Sequence, residues 1–116
     1  MKVESIINIY NKLSETKDLE TFKKILDYHY DKFRYFYRAL EKCSEKDNIF
    51  NISCNEVSEN LLEIIIEVEK KTKIDDTCDN LLDSFKPTYF DKYSITTSIN
   101  KKKKIIQFNL TNPEEF

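Results

Sequence analysis

The sequence predicts an α+β fold, in which about four helices pack as a small bundle and a C-terminal antiparallel β-hairpin lies against them. Three observations carry this expectation. Apolar residues recur at three- and four-residue steps over roughly the first 85 positions, the period changes to strict alternation from Tyr93, and turn or cap residues separate the segments. At 116 residues the chain fits a single domain, 1–116, and a fold of that size buries roughly two thirds of the surface its unfolded form exposes. Neither a structural metal nor disulfides are needed to hold it together.

A first helix is expected over about 3–14, where Val3, Ile6, Ile7, Tyr10 and Leu13 share a face. Residues 14–17 interrupt it. Asp18 is then a natural N-cap for a long second helix of about 19–45, with a seam of Phe22, Leu26, His29, Phe33, Phe36 and Leu40. A third helix of about 53–72 is predicted from the capping box Ser53 and Glu56 and from Ile52 and Val57 in hydrophobic-staple positions. Its core stripe would be Val57, Leu61, Ile64, Ile65 and Val68. Leu62 and Ile66 project from its other side, so the helix is expected between neighbours. Lys70, Lys71 and Lys73 suit the negative pole at its end.

A short fourth helix of about 76–85, with Cys78, Leu81, Leu82 and Phe85, must stop before Pro87, which disfavours helical geometry at Lys86. In the hairpin of about 93–110, Tyr93, Ile95, Thr97 and Ile99 match Ile106, Phe108 and Leu110. A two-residue loop pairs Ile95 with Phe108 and a four-residue loop pairs Ile95 with Leu110; both keep one apolar face. Residues 112–116 are expected to fray.

The composition bears on function mainly by exclusion. With no glycine in the chain there is no Walker loop, dinucleotide fingerprint or nucleophile elbow, each of which needs backbone geometry that glycine supplies cheaply. One histidine leaves no two-histidine zinc site, so no catalytic residues, metal or cofactor are expected. His29, on the apolar seam, reads as a packed imidazole in preference to a general base. Cys43, Cys54 and Cys78 form no C-x-x-C pair and read as reduced thiols. No signal-peptide core or 18-residue apolar run is seen, so a cytoplasmic protein without membrane contact is expected. Isoleucine, lysine and asparagine supply 41 of the 116 residues, the mark of an AT-rich gene of the kind common in mobile elements.

The candidate contact residues are charged and aromatic. Glu56, Glu59, Glu63 and Glu67 would form one ridge along the third helix, continued by Asp76, Asp79 and Asp83 on the fourth. Residues 53–91 carry a net −6 in a chain of −2, and a focused acidic patch favours encounter with a basic protein. A metal on that ridge is disfavoured, because carboxylates in a single-helix stripe do not converge. Tyr28 and Tyr35 fall on the exposed face of the second helix as possible anchors.

The favoured reading is therefore a non-catalytic, protein-binding inhibitor. Its concrete form is an immunity protein whose acidic helices occlude a basic toxin, for instance a nuclease. The alternative is a viral or phage accessory protein that binds nucleic acid through Lys101, Lys102, Lys103 and Lys104 at the hairpin tip, although two arginines in the whole chain and an acidic pI make nucleic acid the disfavoured partner. A self-associating structural protein, joined through Leu62, Ile66 or an open hairpin edge, is the third; the expected state is a monomer or weak homodimer.

Overall fold

The computed structural model describes residues 9, 11–45, 48–58 and 60–111. Residues 9 and 11–14 are helical, with Ile9 and Leu13 buried. Val3, Ile6, Ile7 and Tyr10 of the expected first stripe, and the tail 112–116, lie outside the described residues. Helix α1 spans Leu19–Tyr28 and helix α2 spans Tyr30–Glu45. Asp18 caps α1 as expected: its Oδ1 accepts from the Thr21 backbone N–H at 2.8 Å.

The single helix expected over about 19–45 is thus two. The break falls at His29 (φ −108°, ψ 34°), and Phe33 just beyond it is also non-helical (φ −121°, ψ 15°). Tyr28, His29 and Tyr30 all have modest helix propensity, so little local preference resists the bend. Five of the six expected seam residues, Phe22, Leu26, Phe33, Phe36 and Leu40, are fully buried, while His29 at the break is only half-buried.

The larger correction concerns residues 49–68. The chain there forms not the third helix but strands β1 (Ile49–Ser58) and β2 (Leu61–Val68), paired antiparallel. Helix α3 follows at Ile74–Ser84, then a 3-10 turn at Tyr89–Lys92, and strands β3 (Ser94–Asn100) and β4 (Ile105–Thr111). All pairings are antiparallel and the sheet order is β1-β2-β4-β3. The expected bundle with a C-terminal hairpin is therefore replaced by a four-stranded sheet, whose first two strands lie mid-chain between helices.

Alternation explains the change. In β2, Leu62, Ile64, Ile66 and Val68 are buried, while Leu61, Glu63, Ile65 and Glu67 are half-buried on the opposite face. A helix would scatter the four buried side chains around its circumference. A strand gathers them onto one face with Ile52 and Cys54 of β1 and Ile106, Phe108 and Leu110 of β4. Three consecutive isoleucines also favour the pleated form.

The buried apolar residues of helices and strands make one cluster. At its centre Phe85 stacks on Phe36 with ring centroids 4.6 Å apart and meets Phe90 and Phe108 edge-on at 5.7 and 5.1 Å. Such pairs add about 0.5–1.5 kcal/mol each beyond the area they bury. The turn between β3 and β4 has four residues, so Ile95 faces Leu110, the second of the two expected registers. The Asn100 side-chain oxygen accepts from the Lys103 N–H at 2.9 Å, and Lys104 takes a positive φ of 56°, the role a glycine would usually fill.

Candidate binding surface

Sheet topology decides where the lysines go. Glu67 pairs with Ile105, and Ile49 pairs with Val68, so the start of β1, the end of β2 and the β3–β4 turn meet at one end of the sheet. Backbone bonds hold them there: Val68 N–H donates to the Lys104 carbonyl at 3.0 Å, and Glu69 N–H to the Asn48 carbonyl at 2.9 Å. The Lys104 ammonium reaches the Thr72 carbonyl at 3.5 Å, and Thr72 Oγ1 donates to the Asn48 carbonyl at 3.4 Å.

Between these loops lies a hollow of about 840 Å³, into which five lysines, Lys70, Lys71, Lys102, Lys103 and Lys104, bring positive charge against one carboxylate, Glu69. Phe50 lines it and is 54% exposed. The exposure follows from a register irregularity between Ile49 and Asn51, which turns the ring out of the alternation that buries Ile49 and Ile52. Lys73 and Lys101 sit in an adjoining recess with Asp75 and Asp76. Lys101 pairs with Asp75 at 3.4 Å across exposed surface, a contact worth at most about 1 kcal/mol. The hollow thus offers an aromatic face that meets no other ring among the described residues, ringed by cations that suit an anionic partner.

The acidic ridge is not assembled as expected. Glu56 is exposed on β1, and Glu59 lies outside the described residues. Glu63 and Glu67 are half-buried on the face of the sheet opposite its buried residues, tied to its amides. Asn55 donates to Glu63 at 3.3 Å, Gln107 to Glu63 at 3.1 Å, and Asn51 to Glu67 at 3.4 Å. Asp76, Asp79 and Asp83 do lie exposed along α3. Tyr28 is 81% exposed with the Lys12 ammonium 5.5 Å above its ring, and Tyr35 carries the Arg34 guanidinium at 5.0 Å. Leu62 and Ile66, proposed for self-association, are wholly buried.

Burial pushes the Cys54 thiol far above its ordinary range, and burial with the nearby Asp79 and Asp75 carboxylates raises Cys78, so both are poor nucleophiles near neutrality. Burial, with the charges of Lys32 and Lys12, lowers the His29 imidazole below its usual 6.5. Its Nε2 is buried without a hydrogen-bond partner among the described residues. No group of three histidine, cysteine, aspartate or glutamate side chains among the described residues could hold a metal ion, and no described helix is long and apolar enough to cross a membrane.

Sequence reading missed Phe50, Lys70 and Lys71 as site residues. The lysines were visible as charges, but assigning 53–72 to a helix pointed them away from the hairpin tip. Comparison with protein families, with curated proteins and with solved structures finds no match.

Proposed function

We propose that this is a non-catalytic binding protein whose lysine-ringed end grips a polyanion, and that the polyanion is single-stranded nucleic acid. The observation that carries the reading is the convergence of Lys70 and Lys71 with Lys102, Lys103 and Lys104 around the exposed ring of Phe50. Lysines alone suit any phosphate. An outward aromatic ring among them suits an unstacked base, whose face is unavailable inside a duplex. Phosphates would track the two lysine turns while a base lies on Phe50. The setting we propose is the cytoplasm, where the three buried cysteines stay as thiols.

The test is fluorescence anisotropy with single-stranded and duplex oligonucleotides over a salt series. Each neutralised phosphate contributes about −0.7 to the slope of log K against log salt, so three to five contacts give a slope of roughly −2 to −3.5. Phe50→Ala is expected to cost about 1–3 kcal/mol, and reversing Lys70, Lys71, Lys102 and Lys103 to Glu to abolish binding. No binding to any single strand at low salt would overturn the reading.

A second reading keeps the inhibitor of a basic toxin, favoured by the exposed row Asp76, Asp79 and Asp83 on α3. It rests on α3 alone, since Glu63 and Glu67 are engaged elsewhere. Its mark is salt-sensitive binding to a basic protein that Asp79→Lys with Asp83→Lys weakens at least tenfold; unchanged affinity sinks it.

A further inference from the structure

The two edges of the sheet are finished differently. On β1 the outward Cys54 N–H is already bonded, to the Thr16 carbonyl at 3.2 Å. Among the described residues, strand β3 has β4 on one side and no strand on the other. Three guards usual at an edge are missing from it: Ser94–Asn100 contains no proline and no charge, and its register with β4 runs without a bulge. Its helix-side residues are incompletely covered. Ile95 and Ile99 are half-buried, Thr97 is exposed, and an open groove lined by Leu82, Phe85, Tyr93 and Ile95, with Lys86 and Asp91 also in its lining, runs beside them.

We infer that this edge pairs with the same edge of a second copy of the chain, antiparallel, about a twofold axis at Thr97. The sequence Ser94-Ile95-Thr96-Thr97-Ser98-Ile99-Asn100 is complementary to its own reverse. In that register Ile95 faces Ile99 of the other copy, Thr96 faces Ser98, Ser94 faces Asn100 and Thr97 faces itself. Isoleucine meets isoleucine on the helix side, and hydroxyl or amide meets hydroxyl or amide on the open side. A slip by one residue sets Ile95 against Ser98 and puts the two helix layers on opposite faces. An isologous contact needs this self-matching, and a heteromeric partner would not.

The assembly is a continuous eight-stranded sheet with both helix layers on one face. The added contact, seven residues of edge with Ile95, Ile99 and the rim of the groove, falls below the roughly 1,200 Å² of a tight complex. Association is therefore in the range of about ten to a few hundred micromolar.

The experiment is sedimentation velocity across that concentration range, with a cross-linking arm. The wild type should shift toward dimer with concentration. Thr97→Lys sets two like charges face to face at the axis, on an exposed site that leaves the fold intact by circular dichroism, and should weaken dimerisation at least tenfold. Thr97→Cys, opposite its own copy, should form a disulfide-linked dimer under mild oxidation at least tenfold faster than Ser94→Cys. A protein that stays monomeric at several hundred micromolar, a folded Thr97→Lys that dimerises like the wild type, or equal cross-linking at both positions each overturns the proposal.

Discussion

At the scale of single residues, two positions hold tension with the rest of the chain. Lys104 sits at φ 56°, in the left-handed region that costs a side chain with a Cβ roughly 1 kcal/mol. Lys104→Gly should therefore raise stability by a few tenths to about 1 kcal/mol, the gain being reduced by the greater freedom of the unfolded glycine. Urea titration measures it. The same change removes a cation from the hollow, so nucleic-acid affinity should fall while stability rises.

His29 contributes through pH. Its folded pKa lies below the unfolded 6.5, so its stabilising effect is present above that value and is lost as pH falls from there to the folded pKa. The midpoint of thermal unfolding should drop between pH 7.5 and 5.5, and His29→Gln should flatten that slope. An equal slope in both proteins would show that other groups set it.

At the scale of elements, Ile64 and Ile65 separate the strand from the helix that the sequence suggested. A helix would use both as core; in β2, Ile64 is fully buried and Ile65 is half-exposed on the open face. Ile64→Ala should cost about 2–5 kcal/mol and Ile65→Ala under about 1 kcal/mol, both read by denaturant unfolding. The ambiguity had a physical source. Leu61-Leu62-Glu63-Ile64-Ile65-Ile66-Glu67-Val68 satisfies a four-residue glutamate step and a two-residue apolar step at once, and Ser53 with Glu56 imitates a helix cap. What decided the matter lay outside the segment: the apolar faces of β1 and β4 that only an alternating partner can match.

Segments whose preference was local were legible. Asp18 at the start of α1, the end of α3 before Pro87 and the alternation of residues 94–111 all rest on neighbours a few positions away.

At the scale of the whole molecule, charge is redistributed by topology. Read along the chain, residues 53–91 are an acidic block. In the fold its Glu56, Glu63 and Glu67 spread over the sheet, while Lys70 and Lys71 join Lys102, Lys103 and Lys104, which lie some 30 positions away in sequence. The basic site was unreadable for that reason: each half looks like an ordinary solvated turn, and their meeting depends on β4 pairing with β2. Phe50 was hidden likewise, since a register irregularity has no mark in sequence.

The order β1-β2-β4-β3 also governs how the protein is made. A chain emerging from the ribosome completes β1 and β2 first, yet β2 acquires its second neighbour only when residues 105–111 have emerged, after α3 and β3. Until then an apolar, isoleucine-rich strand offers a bare edge to every other nascent chain nearby. The time spent synthesising the intervening residues is a window of exposure. Slow translation through 69–104 would lengthen it, and a chaperone that holds extended apolar segments would find its natural target in Leu61–Val68.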